Sequence, residues 1–214
     1  MDALHLDELV GLFETVSAVM TDRADELGRM DAAMGDGDLG LTMSKGFAAL
    51  PAVLAGLDDP DVGRRLAKAG LRMSSVVPST MGTLMATGLL AGGKALTSRS
   101  EIDADGLATF FEAFAAGIAQ RGRCAPGDRT VLDALHPAGQ AARVAAQEPD
   151  ATLASVADAA LAGALAGVEA SKDMTPKFGK AAVFAAKAAG VPDQGACAGA
   201  YFVRAWRDYV RDRG

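Results

Sequence analysis

The sequence predicts an all-α protein, a single domain over residues 1–214 in which about eight antiparallel helices form a closed bundle or barrel. Half of the 214 residues are hydrophobic but only 5% are aromatic, and such an Ala- and Gly-rich chain suits closely packed helices. Apolar residues recur at spacings of three and four along most of the chain, which is the period of an amphipathic helix. No stretch has a convincing strand pattern, and the short connections favour antiparallel neighbours.

The first helix is predicted from a stripe of apolar residues that runs from Leu6 to Leu27. Pro, Gly and polar clusters divide the rest of the chain into further segments. The remaining predicted helices are Leu41–Leu50 (stopped near Pro51), Asp61–Met73, Met81–Leu96, Ala104–Arg121, Thr130–Gln147, Thr152–Lys172, Lys177–Ala189 and Ala196–Arg213. Met81–Leu96 is apolar on all sides, so we expect it to be central and buried.

Three carboxylates lie within eight residues after the first helix: Asp31, Asp36 and Asp38. At about 100° per residue no single helical face holds all three, so they converge only if the chain leaves the helix between them. Gly35 and Gly37 allow this, because glycine tolerates positive φ. Neighbouring carboxylates repel one another, and a hard divalent cation relieves that repulsion. The segment therefore predicts a metal loop, with magnesium as the favoured ion.

The charge and the cysteines narrow the class of protein. A net charge of -6 and a pI of about 4.9 argue against nucleic acid or an anionic membrane as the main partner. Cys124 and Cys197 are far apart and outside any CxxC pattern, which indicates a reducing compartment. The first residues are acidic where a signal peptide would be basic. We expect a cytoplasmic protein.

Two nucleotide-binding motifs are matched only in part. Gly35–Gly40 fits GxGxxG, but a helix precedes it where a dinucleotide fold needs a strand. Gly88–Lys94 fits most of a P-loop, but Ala95 stands where a magnesium-binding Ser or Thr is needed. A calcium hand would require a carboxylate at its twelfth position, which is Thr42 or Phe47 here. None of the three motifs explains the aspartate loop.

The chain resembles, nearly end to end, the nucleotide-binding L subunit of dihydroxyacetone kinases. The aspartate loop matches the family pattern D-x4-D-x-D-x-G. The segment Arg121–Leu135 is similar to the family's RGK…PGDKTMLD. Gly179-Lys-Ala and then Gly190–Ala196 are similar to its tail GRASYLGERSIGHQDPGA. Three motifs in the right order are much more specific than one.

The resemblance implies a barrel of eight antiparallel helices that binds ADP or ATP at one end, through two magnesium ions held by Asp31, Asp36 and Asp38. It also implies a set of nucleotide-binding residues. These are Leu39, Gly40, Leu41 and Thr42 beside the phosphates, Ser79 and Thr80 in a hydroxyl-bearing loop, Gly122 and Val131 at the adenine, and Asp193, Gln194 and Gly195 in the last turn. Lys187 is the candidate catalytic residue, as an added positive contact to the nucleotide.

The chain departs from the family at four places. The family's His after the third aspartate is Leu39, and its Asn in the next turn is Thr42. The GG-x-SG loop reads Val-Pro-Ser-Thr-Met-Gly over 77–82, and the arginine of GERS is Lys187, which keeps the charge but loses the planar fork. These changes indicate a divergent paralogue, for which a small ketose or polyol other than dihydroxyacetone is a candidate substrate.

The resemblance implies a subunit that passes phosphate to a sugar held on a separate K subunit. The phosphate comes either from freely exchanging Mg-ATP or from bound ADP that a phosphocarrier subunit rephosphorylates. An alternative is a non-catalytic ADP-binding regulatory module that docks on a partner protein. A third is a helical scaffold whose acidic loop is only a solvated turn.

Overall fold

A computed structural model describes residues 3–179, 182–183 and 188–213. Over these ranges the chain forms ten α-helices and two short strands. In chain order they are β1 (Ala3–His5), α1 (Glu8–Asp22), α2 (Ala24–Ala32), α3 (Leu39–Ala48), α4 (Leu50–Ala55), α5 (Val62–Val76), α6 (Thr80–Ala95), β2 (Glu101–Asp103), α7 (Ala104–Gly122), α8 (Leu132–Ala146), α9 (Leu153–Ala170), a 3-10 turn (Ser171–Asp173) and α10 (Gln194–Asp212). The predicted helix Lys177–Ala189 falls partly outside the described residues.

The helices close into a ring in which chain neighbours pack side by side. From α5 to α10 each helix packs against the next one along the chain. α10 then packs against α1, and α4 lies against both α1 and α5, which closes the ring. α3 packs on α1 and α2. The prediction of a closed helical bundle is confirmed.

Aromatic side chains of α7 and α10 fill the interior. Phe110 stacks on Trp206 with ring centroids 4.6 Å apart, and Phe114 stacks on Phe202 at 4.9 Å. All four side chains are at most 1% exposed. Each such ring buries a large apolar area, so this cluster is a main source of hydrophobic stabilisation.

Glycines let the helices approach more closely than side chains would allow. A Cβ atom on Gly88 of α6 would lie 2.4 Å from the ring of Phe114, and one on Gly40 of α3 would lie 1.8 Å from the carbonyl oxygen of Ala24. A methyl group cannot fit at either distance. The glycine-rich α6 is accordingly packed against α5 and α7, as its apolar sequence predicts.

Two predicted helix boundaries are wrong. The stripe from Leu6 to Leu27 belongs to two helices, because the chain turns at Arg23 between α1 and α2. Both helices bury the same stripe, so the apolar period continues through the break. Pro51 does not end a helix but lies in the first turn of α4. A backbone N–H in the first turn has no acceptor within the helix, so proline is tolerated there.

The expectation of no strand is also wrong. β1 and β2 form a two-stranded antiparallel sheet in which Leu4 lies opposite Ile102. Both side chains are buried. Strands of three residues are too short to show the alternation that reveals a strand in sequence.

One segment of the described chain, Leu153–Asp173, is long and apolar enough by composition to cross a membrane, with a mean hydropathy of 1.4. The core helix of a helical bundle passes the same test, so this is weak evidence. α9, which makes up most of the segment, packs against both α8 and α10.

Replacing Gly40 tests the closeness of α2 and α3. We expect Gly40→Ala to lower the free energy of unfolding by about 3 kcal/mol, because the added methyl overlaps the backbone of Ala24. Urea unfolding measures the change. Gly56→Ala is the matched control, since its Cβ would meet no atom closer than 3.7 Å. Equal stability of the two variants would contradict the proposed contact.

Candidate metal and nucleotide site

The aspartate loop joins α2 to α3 and is organised by Asp31. This residue lies in the last turn of α2, and its side chain turns inward, so that the residue is 9% exposed. Its Oδ2 accepts hydrogen bonds from the backbone N–H groups of Gly37, at 2.9 Å, and Leu39, at 3.4 Å. One carboxylate therefore fixes both the turn after α2 and the start of α3.

The two glycines of the loop have different roles. Gly37 has φ +78°, the left-handed conformation that the sequence predicts for it. Gly35 is not among the residues with positive φ. Its importance is steric, because a Cβ there would lie 2.6 Å from Oδ1 of Asp31.

The loop brings the three aspartates together. Asp31, Asp36 and Asp38 each offer one carboxylate oxygen, and these three oxygens lie within 4.8 Å of one another. An octahedral magnesium ion with bonds of about 2.1 Å holds its ligand oxygens about 3 to 4 Å apart. Asp36 and Asp38 are exposed. The donor set and the spacing fit hard divalent cations.

The three aspartates line a cavity of about 610 Å³ at one end of the ring. Its other walls come from the connections α5–α6, α7–α8 and α9–α10. Of the residues predicted at the site, Asp31, Asp36, Asp38, Leu39, Ser79, Thr80, Val131, Asp193, Gln194 and Gly195 line this cavity. The structure therefore places together residues that are more than 160 positions apart in the chain.

A second cavity of about 600 Å³ adjoins the first and shares its walls at Ser79, Thr80 and Thr130. Gly122 lines this second cavity, together with Cys124. The two cavities side by side offer room for both the phosphates and the base of a nucleotide.

Among the predicted residues that the structure describes, Gly40, Leu41 and Thr42 line neither of the two cavities. Gly40 packs against α2, and Leu41 is 55% exposed on α3. Thr42 is buried behind the wall, where its hydroxyl lies 3.4 Å from the hydroxyl of Ser79. These positions indicate that the three residues support the packing around the site and do not contact a ligand in the cavity. Lys187 lies outside the described residues.

The start of α10 forms another part of the cavity wall. Asp193 caps the helix by accepting the N–H of Ala196 at 2.8 Å, and its own N–H donates to the hydroxyl of Ser171. Burial raises the pKa of the Asp193 carboxyl to about 6, against the opposing effects of the helix N–H and of Arg129. The next residue, Gln194, donates from Nε2 to Oδ1 of Asp31 at 3.4 Å, and its buried Oε1 has no hydrogen-bond partner among the described residues.

The connection between α7 and α8 is held by two further carboxylates. Asp133 accepts the N–H groups of Gly127 and Thr130, at 2.5 and 2.6 Å. Asp128 accepts the N–H of Ala125 and pairs with Lys177, which holds its pKa below the usual range. The acids of the PGD…D motif therefore shape this connection by binding its backbone.

Sequence reasoning missed Arg129, which lies on this connection. Its side chain is 3% exposed and lines the first cavity. The sequence did carry a signal for this residue, because Arg129 lies inside the PGD…D motif, between Asp128 and Asp133. An arginine between two motif residues is otherwise no different, in sequence, from a solvated one.

A closed ring of helices with a cluster of three carboxylates at the mouth of a large cavity defines a helical protein with a candidate metal- and ligand-binding site. The model of the DAK2 domain family matches residues 33–208. The chain therefore belongs to the DAK2 domain family.

Known relatives agree with this assignment. The chain is 31% identical to the "PEP-dependent dihydroxyacetone kinase 1, ADP-binding subunit DhaL" of Listeria innocua, over 84% of each chain. It is 29% identical to the "Triokinase/FMN cyclase" of Bos taurus over 97% of this chain, but it spans only 36% of that longer protein. The dihydroxyacetone kinase of C. freundii, solved with AMP-PNP and Mg2+, superposes with a TM-score of 0.70 at 27% identity, over 93% of this chain and 33% of that one.

The steric role of Gly35 is testable by metal titration. We expect Gly35→Ala to weaken Mn2+ or Mg2+ binding at least about tenfold, because the new methyl displaces the Asp31 carboxylate. Isothermal calorimetry or Mn2+ electron paramagnetic resonance measures the affinity. Gly28→Ala, on the preceding helix, is the control, since its Cβ would meet only an ordinary contact at 3.5 Å. Unchanged affinity in Gly35→Ala would refute the displacement.

The buried Asp193 makes stability depend on pH. A carboxyl whose pKa is raised from 3.8 to about 6 in the folded state stabilises the protein at low pH, and this contribution is lost as pH rises through 6. Between pH 4 and 7 we expect the wild type to lose about 2 kcal/mol relative to Asp193→Asn, which keeps the cap but does not titrate.

Urea unfolding of both proteins across this pH range tests the expectation. Asp58→Asn, at an exposed aspartate, controls for the loss of one acidic group. If the stability difference between wild type and Asp193→Asn did not change with pH, Asp193 would not titrate in this range.

Proposed function

We propose that this protein is the nucleotide-binding, phosphoryl-transfer subunit of a kinase for dihydroxyacetone or another small ketose or polyol. The observation that supports it most is the group of three carboxylates at the mouth of a cavity large enough for a nucleotide. Membership of the DAK2 family and the similarity to the Listeria and C. freundii dihydroxyacetone kinases support the same chemistry.

In this proposal Asp31, Asp36 and Asp38 hold magnesium. Phosphoryl transfer needs positioning and charge neutralisation more than covalent chemistry, and bound magnesium supplies charge neutralisation at the phosphates. Counting the described side chains alone, the cavity has four aspartates and one arginine. Bound cations would offset the repulsion between these carboxylates and an anionic nucleotide, and the family resemblance implies two ions.

The chain's own groups would orient the nucleotide. Ser79 caps α6 by accepting the N–H of Gly82, which places its hydroxyl and that of Thr80 at the cavity wall. The first turns of α3 and α10 face the same space through Leu39 and Gln194, and helix N-termini favour phosphate groups. Val131 offers an apolar contact for the base. Lys187 remains our candidate for an additional positive contact.

The sugar would be supplied by a partner. By family resemblance, a separate K subunit holds the acceptor and docks over the nucleotide end of the ring. The phosphate donor is either exchanging ATP or bound ADP that a phosphocarrier subunit rephosphorylates. The rate of nucleotide release, measured by stopped flow, separates the two cases. We also propose that residues 1–214 are one nucleotide-binding domain and that the protein is cytoplasmic.

A non-catalytic regulatory module is the second candidate. It is favoured by Leu39, a 5%-exposed apolar residue in the cavity wall at the position of the family's histidine. A regulator would bind ADP without ever transferring phosphate. Assays with K subunits and a panel of ketoses distinguish the two functions, because only the kinase subunit yields a phosphorylated sugar with one of them.

The primary test is calorimetry with Mg-ADP on the wild type and on Asp36→Ala. We expect micromolar or tighter binding by the wild type and a loss of at least about tenfold in the variant, because one metal-binding carboxylate is removed. Asp58→Ala controls for the change in charge. Binding by the wild type with little turnover of sugar alone, and turnover restored by a K subunit, would support the division of labour. No nucleotide binding by the wild type would leave only the scaffold hypothesis.

A further inference from the structure

The cavity wall contains a buried cation, Arg129, to which the proposed function assigns no role. Arg129 is 3% exposed and lines the cavity with Asp31, Asp36, Asp38 and Asp193. Its backbone is held in the left-handed conformation, at φ +61°. Such a conformation is unfavourable for a residue with a side chain, and the hydrogen bonds of Asp133 to the adjacent backbone maintain it.

Among the described residues the guanidinium makes three contacts, all to neutral groups. Nε donates to the carbonyl oxygen of Ser171 at 3.1 Å, and Nη2 donates to that of Val191 at 2.7 Å. Nη1 lies 3.9 Å from the sulfur of Met34. A guanidinium has five N–H groups, so two of them have no acceptor among the described residues.

The charge of Arg129 is not matched by a direct ion pair within the described part of the chain. Asp193 interacts with it only through space. A buried charge is costly unless an opposite charge and hydrogen bonds compensate it. Planar N–H groups in a fork are also the preferred partners of phosphate oxygens. The arrangement is therefore suited to receive an anion in the cavity.

Met34 locates the guanidinium relative to the metal site. Met34 lies within the aspartate loop, between Asp31 and Asp36. The contact to its sulfur therefore places Nη1 beside the loop that would hold magnesium, and away from the second cavity, which Arg129 does not line. The nearest part of a bound nucleotide would be its metal-linked terminal phosphate.

We propose that Arg129 is a phosphate-binding residue, which donates to the terminal phosphate of the bound nucleoside diphosphate or triphosphate. This inference rests on the proposed nucleotide-binding function. The same guanidinium also ties together the aspartate loop, the turn after α9 and the segment before α10. A residue that acted only through these ties would affect all ligands of the cavity equally.

The test compares ADP with AMP, both with magnesium, by calorimetry. Arg129→Met should weaken ADP binding at least about tenfold but AMP binding less than about twofold, because AMP lacks the terminal phosphate. Arg129→Lys keeps the charge without the fork, so it should show an intermediate loss for ADP alone. Thermal melts of the ligand-free proteins report any loss of folding separately.

Arg123→Met is the matched control. Arg123 is an exposed arginine on the same connection, it also has positive φ, at 50°, and it lines neither of the two cavities. Its replacement should change neither affinity. Equal losses for ADP and AMP in both Arg129 variants would overturn the proposal and leave Arg129 as a purely structural tie. Absence of nucleotide binding by the wild type would instead refute the proposed function.

Discussion

The inward turn of the Asp31 carboxylate is the constraint on which the site depends. A carboxylate in the last turn of a helix would normally face water, and here it accepts the N–H groups of Gly37 and Leu39 instead. These bonds reverse the chain and start α3, so Asp36 and Asp38 are carried back toward Asp31. Three neighbouring carboxylates repel one another, and a divalent cation bound between them would relieve that repulsion.

The ring explains why distant segments meet at this loop. When sequential helices pack side by side with alternating direction, every second connection lies at the same end of the ring. The connections α5–α6, α7–α8 and α9–α10 therefore share one end, and α2–α3 joins them there. Close helix packing depends on glycine and alanine, and the high content of these residues follows from the architecture. Gly167 shows this, because a Cβ on it would lie 1.9 Å from the carbonyl oxygen of Asp133.

Features that repeat along the chain could be predicted from the sequence, and features that depend on one contact could not. Apolar periodicity located the helices, and the spacing of Asp31, Asp36 and Asp38 indicated a loop that brings them together. The turn at Arg23 could not be predicted, because α1 and α2 bury one continuous stripe of apolar residues. The steric role of Gly35 and the burial of Arg129 depend on neighbours in space. No local pattern distinguishes such residues from an ordinary turn glycine or a solvated arginine.

The charge of the cavity wall links the fold to the proposed chemistry. In the proposed function an acidic wall would repel a nucleotide until cations were bound, so nucleotide affinity and metal affinity would be coupled. Gln194 links two parts of the wall, since it starts α10 and its amide donates a hydrogen bond to Asp31. In the same proposal Arg129 would add a fixed positive charge of the protein to the adjustable charge that bound cations supply.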